Sequence, residues 1–450
     1  MREAGLQERP KSHTVAATTS SANAGTKKDD RGSETLMRNA FASLDRQSKL
    51  ILLGAATLLA LGMGIRQSFG LFLTPVTKDL ALTASDFTLA LAVQNVVWGL
   101  TQAFVGAFSD RYGLRKTMMV GAAIYVAGLA VMAGAQGATA LIVSGALIGM
   151  ALACTATSLS MTACARAVSP RQRSMTLGVV SAIGSLGTLA GPLVTQAILM
   201  REPWQIGILL FTVLSIAMIP AAFLAGGADN IPQTQPANRA SMSEVLGDAL
   251  RNRQFLVMAG AYFVCGLNLM FLTTHLPSYL ALCGQDPMLS AWTLAIIGGV
   301  SAIGSLVTGW LGGRYPKHII LGAVYILRSL MIAAYFAMPP TTASTILFAV
   351  AMGLLWWPGL APLTGGIVAD VFGTRYMATL LGMAFVIHQM GSSLGTWGGG
   401  LIFDLTGSYD PAWQIGTVIG LTAGLVQMVF GGPPKKREGV MQGQSAPAMG

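Results

Sequence analysis

Two arginines interrupt long apolar runs: Arg66, in the run from Leu50 past Phe72, and Arg328. A guanidinium at the centre of a membrane-spanning helix costs roughly 2.5–3.5 kcal/mol on insertion scales, so it must face protein or a water-filled cavity. Its planar fork matches a carboxylate with two parallel hydrogen bonds. The competing readings are pairing of Arg66 with backbone carbonyls, and a structural or snorkelling role for Arg328. His275 and His388 also fall in apolar runs, and Gln389 follows the second. An ordinary imidazole titrates near pH 6.5. Either histidine could carry a coupled proton, or be a satisfied packing residue. Asn268 and His275 are seven apart, so they share a helix face. Thr155, Ser158 and Thr162 repeat at i, i+3 and i+7, and Trp356-Trp357-Pro358, Gln94 and Trp98 are further polar or aromatic candidates, each with an equal claim to plain packing. All 18 carboxylates, Asp110 and Asp370 included, lie in loops, tails or run ends. A cation site would want a buried anion. Buried positive charge without one points to an anionic solute.

These residues need helices in lipid to position them. Of the 450 residues 53% are hydrophobic and only 10% charged, against roughly 25% charged in a soluble domain. Mean hydropathy is +0.61. Runs of membrane-spanning length fall near 50–73, 86–108, 117–135, 138–162, 175–199, 204–225, 254–281, 289–311, 318–337, 342–368, 377–401 and 412–431. Each must be helical, because a barrel would show short alternating segments instead. The chain therefore divides into a disordered tail (1–46), a six-helix bundle (47–226), a linker (227–253), a second six-helix bundle (254–432) and a C-terminal tail (433–450). Ser241 and Glu244 fit a capping box, so a short helix is expected within the linker.

Charge placement gives an orientation. Lys78 and Arg201 alone lie in loops opposite the tails, and Arg66 and Arg328 lie within runs. The rest of the 28 Lys and Arg fall in the tails, the linker and the loops on the tails' side. By the positive-inside rule both termini are cytoplasmic, in an inner membrane. The same distribution accounts for the net charge of +10 without nucleic acid, since no basic stripe is interleaved with aromatics. Cys154, Cys164, Cys265 and Cys283 form neither a CxxC nor a Cys/His metal spacing, so no disulfide framework and no metal is expected. No nucleotide-binding glycine loop with lysine occurs, and neither an enzymatic constellation nor a cofactor is expected.

The halves repeat. Gly64-Ile-Arg66-Gln-Ser-Phe69, on to Pro75, matches Gly266-Leu-Asn268-Leu-Met-Phe271, on to Pro277. Gly106-Ala-Phe-Ser-Asp110-Arg111-Tyr112 matches Gly309-Trp-Leu-Gly-Gly313-Arg314-Tyr315. Gly178, Gly187 and Gly191 match Gly382, Gly391 and Gly395. Six spans per half give both halves the same topology. Such parallel repeats set the solute site between them.

The loop Gly106-x-x-x-Asp110-Arg111-x-Gly113-x-Arg115-Lys116 resembles the signature loop of the major facilitator superfamily. The resemblance covers residues 50 to 431 and implies an all-α membrane protein of twelve helices in two parallel repeats. It implies gating by Asp110, Arg111 and Arg115 on the cytoplasmic side; the alternative is a purely topogenic basic loop. The second copy keeps Arg314 but has Gly313 in place of the acid, so the network is asymmetric. Gly187-x-x-x-Gly191-Pro192 resembles a glycine-proline motif associated with antiport, with its last glycines replaced by Thr195-Gln196; the reading preferred here is a helix-packing motif, a glycine face with a proline bend. Gly145 stands where relatives often carry an arginine implicated in proton coupling. Arg66-Gln-Ser-Phe-Gly-Leu-Phe-Leu-Thr-Pro75 and Thr273-Thr-His275-Leu-Pro-Ser-Tyr-Leu280 look like the bacterial relatives of monocarboxylate carriers and oxalate/formate exchangers. Spans one, four, seven and ten line the superfamily's cavity, which makes Arg66, Asn268, His275, Trp357, Thr155 and Ser158 the solute contacts, and His275 and His388 the proton candidates. The expectation is a monomeric secondary transporter of a short mono- or dicarboxylate, such as lactate or pyruvate, proton-coupled or exchanging. The alternative is an exporter of hydrophobic drugs or metabolites.

Overall fold

The computed structural model describes residues 44–231, 242–356, 360–372 and 377–433. Secondary structure among the described residues is helical, with no strand. Asp45 opens α1 (Arg46–Gln67) by accepting from the Ser48 N–H at 3.2 Å. A single turn of 3₁₀ helix, Phe69–Phe72, joins it to α2 (Leu73–Asp79), and together they make span one. Span two is α3 (Ala84–Tyr112). It ends at Gly113, whose φ of +91° only glycine adopts without strain, and span three, α4 (Leu114–Ala133), starts at once. Span four is broken into α5 (Ala138–Thr155) and α6 (Thr157–Ala167), where the sequence predicts one run. Spans five and six are α7 (Pro170–Leu199), then α8 (Trp204–Ile216) with α9 (Met218–Ala225).

The linker carries α10 (Met242–Arg251) where a short helix is expected; Ser241 lies outside the described residues. Asn252 then caps α11 (Arg253–Leu282), span seven. Spans eight and nine are α12 (Pro287–Gly312) and α13 (Lys317–Phe336). Span ten is divided between α14 (Thr342–Leu354) and α15 (Ala361–Phe372). Spans eleven and twelve are α16 (Met377–Thr406) and α17 (Asp410–Phe430). Nine of these segments are long and apolar enough to cross a membrane by themselves, among the described residues.

Buried apolar side chains gather in two large clusters. One runs from Ile51 to Ala228, the other from Ala249 to Trp413. Glycines set the spacing inside each. A Cβ added at Gly187 would lie 2.0 Å from the Ala60 carbonyl oxygen, and one at Gly191 2.3 Å from that of Gly64, so span five touches span one backbone to backbone. The second half repeats this: Gly391 meets Phe263 O at 1.9 Å and Gly395 meets Leu267 O at 2.1 Å. Pro192, next along span five, is buried.

The halves meet unevenly. The side on which the described chain begins and ends, at residues 44 and 433, is the tail side. All six hydrogen bonds between the halves, among the described residues, join spans one and two to spans seven, eight and eleven, away from the tail side. There Gly70 abuts the Thr273 carbonyl and Thr74 Oγ1 lies 3.1 Å from Ser278 Oγ. Toward the tail side, Cβ atoms added at Gly106, Gly178 and Gly382 would meet nothing within 4 Å, on the helices that press tightly elsewhere. The conformation is closed on the far side.

Candidate functional site

Arg66 sits on span one where that span faces the other half. Its Nη2 donates to Asn95 Oδ1 at 3.0 Å and to Met270 Sδ at 3.0 Å, and the guanidinium carbon lies 5.0 Å from the Trp98 ring centroid. Three spans converge on it: one, two and seven. No carboxylate is within salt-bridge reach of it among the described residues. A small cavity of about 10 Å3, room for one water, is lined by Arg66, Gln94, Asn95, Met270, Thr273 and Thr274 among others. Arg66 Nε, Gln94 Oε1 and Asn95 Nδ2 are buried there without a hydrogen-bond partner in the protein. Unpaired buried polar atoms are costly, and three around one cavity make a ready set of donors and an acceptor for a polar solute. Span eleven closes the flank: Gln389 packs on Gly99, and Phe385 meets Trp98 edge to face at 5.3 Å.

Two of the predicted solute contacts point elsewhere. Asn268 Nδ2 donates to the Gly416 carbonyl at 3.2 Å, and the side chain packs on Gly416 and Gly420 of span twelve. His275 is fully buried within the second half. Its Nε2 lies 2.8 Å from the Thr396 carbonyl, which can only accept, so the proton is on Nε2. Its Nδ1, 3.3 Å from Tyr409 Oη, then accepts. The two residues do share a face, as the spacing predicts, but it is turned toward spans eleven and twelve rather than toward the first half. His388 stands nearer the seam, its ring 4.6 Å from Tyr262 and stacked at 6.1 Å on Phe385.

Span four contributes differently from its prediction. Thr155 Oγ1 bonds back to the Ala151 carbonyl at 2.8 Å and is fully buried beside Gly121, within the first half. Ser158 is exposed and accepts from Thr162 at its carbonyl. Trp357 lies outside the described residues. Arg328 is 1% exposed. It donates to Cys265 Sγ at 3.3 Å and to the Leu355 carbonyl, the end of α14, so it binds the break in span ten to span seven.

On the tail side the signature loop is held by a residue the motif does not include. Asp229, after span six, accepts from the Leu114 and Arg115 N–H groups at 2.8 and 2.9 Å and lies 3.9 Å from Arg166. Arg115 itself stacks over Phe223 at 4.5 Å. Arg111 lies over Tyr112 and Arg314 over Trp310, at 5.4 and 3.9 Å. The Asp110 side chain lies outside what is described. In the second half Lys317 pairs with Asp370 at 2.6 Å. Asn95, Met270, Thr273 and Asp229 are the residues the sequence reading missed. Only Asn95 carried a signal, as half of a polar pair inside an apolar run.

Two helical halves meeting at a buried cation, with breaks in two spans, define a membrane carrier of small solutes. Residues 52–396 match the Major Facilitator Superfamily, and the chain belongs to it. It is a transporter and not an enzyme. The chain is 24% identical to an uncharacterized MFS-type transporter, YcxA, of Bacillus subtilis (strain 168), over 78% of this chain and 87% of that one. It is 24% identical to monocarboxylate transporter 13 of Bos taurus, over 81% and 85%, and 23% identical to the oxalate:formate antiporter of Oxalobacter formigenes, over 77% and 82%.

Proposed function

We propose that the protein moves a small organic anion, a short mono- or dicarboxylate, by alternating access between two six-helix bundles (47–226 and 254–432). The observation that carries this reading is Arg66: a buried guanidinium at the seam between the halves, held by Asn95 and Met270, with no acid among the described residues to neutralise it. A carboxylate is the group that would complete it. Relatives named for monocarboxylates and for oxalate and formate support the same chemistry.

In this reading Arg66 binds the carboxylate, and Asn95, Gln94 and Thr273 shape the rest of the seat. Asn268 and His275 hold the second half together, and Thr155 the first. His388, beside the seam, is the better candidate for a coupled proton. Arg115, held with Asp229, and Arg111, Asp110 and Arg314 gate the tail side. That side is cytoplasmic, as the basic loops support, the membrane is the inner membrane, and the carrier works as a monomer.

The test is uptake of a labelled carboxylate panel into proteoliposomes, with and without an inward proton gradient. One or more short carboxylates should enter, faster with the gradient if a proton accompanies them. Arg66→Ala should raise their KM at least tenfold, the scale of one lost charge-assisted hydrogen bond. Uptake of no carboxylate by folded protein, or unchanged KM in the variant, would reject the reading and favour hydrophobic solutes.

A further inference from the structure

The first N–H groups of a helix have no acceptor inside it. In α3 the capping box settles part of this: Thr83 Oγ1 accepts from Asp86 N–H at 3.1 Å, and Asp86 Oδ2 accepts from Thr83 N–H at 3.0 Å. Ala84 and Ser85 remain. Their acceptor comes from the other half of the molecule. Asp404, near the end of α16, takes the Ala84 N–H on Oδ1 at 3.0 Å and the Ser85 N–H on Oδ2 at 2.8 Å.

This contact is the outermost of a series. One turn inward, a Cβ at Gly400 would lie 2.4 Å from Thr88 Oγ1 and 3.0 Å from the Ala84 carbonyl. Further in, Ser393 donates to the Ala92 carbonyl at 2.9 Å. A carboxylate at a helix N-terminus is favoured by both the free N–H groups and the helix dipole. In alternating access the halves part on this side, and the Ala84 and Ser85 N–H groups then bond to water instead. The Asp404 contact exists in only one of the two end states. A contact of that kind is what biases a two-state equilibrium.

We propose that Asp404 is a gating residue of the transport cycle: it clasps the start of span two to the end of span eleven and so favours the far-side-closed state. The proposal rests on alternating access and is independent of which solute is carried.

The experiment measures the opening directly, with no substrate. Cys283 is the one exposed cysteine, on the far side of the second half, while Cys154, Cys164 and Cys265 are buried. Lys78→Cys places a partner on the far side of the first half. Spin labels on this pair, read as a distance distribution in lipid nanodiscs, report the gap between halves. Asp404→Ala should raise the ratio of long to short distances by roughly fivefold, the scale of losing one helix cap. Ala84→Pro deletes one bonded N–H at the first helical position, where proline is tolerated, and leaves Asp404 in place. It should shift the distribution the same way, and adding it to Asp404→Ala should shift it little further. Asp404→Asn, which keeps an acceptor but not the charge, should fall between. A role in folding alone would lower the melting temperature without moving the distribution. Unchanged distances in folded Asp404→Ala or, if that variant does not fold, in Ala84→Pro overturn the proposal.

Discussion

Two deep arginines carry the same charge and do opposite work. Arg328 spends its donors on Cys265 and the Leu355 carbonyl inside one half. Arg66 instead reaches across the seam to Met270; each arginine keeps its Nε without a partner, so what separates them is where the other donors go. The consequences for substitution separate them. Arg328→Gln should leave the KM for the proposed carboxylate unchanged and lower thermal stability in detergent, by about 1–3 kcal/mol for a buried carbonyl left unmatched. Arg66→Gln should do the reverse: weaker anion affinity, with stability equal or higher because a buried cation without an acid is removed. A melting curve and a transport assay on each variant check this. Sequence could find both arginines from the cost of charge in apolar runs. It could not tell them apart, because hydropathy reports depth and not which neighbour a helix face meets. Asn268 and His275 show the same limit: their spacing is right, and their shared face is turned inward on its own half.

At the scale of elements, the glycine repeat was legible as packing and is packing in the structure. Gly187 and Gly191 seat span five on span one, and Gly391 and Gly395 seat span eleven on span seven. Gly187→Leu should therefore cut folded yield and melting temperature sharply, since a side chain there meets the Ala60 backbone, which cannot give way. Gly178→Leu, nine residues earlier on the same helix and facing open space, should be tolerated. Comparing the monodisperse fraction of the two purified variants decides it. The break in span ten was foreshadowed by Pro358, since the residue before a proline resists the helical conformation. The break in span four had no such sign. Between Thr155 and Thr157 there is neither glycine nor proline, and the turn is held by Ser160 Oγ donating to the Thr155 carbonyl at 2.9 Å, a contact made only once the chain has bent. Asp229 was hidden for a related reason: it lies more than a hundred residues from the loop it caps.

At the scale of the whole molecule, the hydrogen bonds between the halves among the described residues lie on one side. Thr74 on span one and Ser278 on span seven face each other across the seam with their hydroxyl oxygens 3.1 Å apart. If solute crosses by alternate parting of the halves, Thr74→Cys with Ser278→Cys should form an oxidisable bridge that stops transport, and reductant should restore it. Transport that persists in fully bridged protein would mean the far side need not open, and alternating access would fail.

The absence of acidic side chains deep in the spans has an electrical consequence. If the solute is the carboxylate proposed above, then with Arg66 empty the seam carries positive charge that no acid among the described residues cancels, and the seated carboxylate cancels one unit of it. Moving one elementary charge through the membrane field is worth about 2.3 kcal/mol per 100 mV. Voltage therefore acts unequally on the empty and the loaded carrier, and the step that returns the empty carrier is the one a polarised membrane can hurry or hold back.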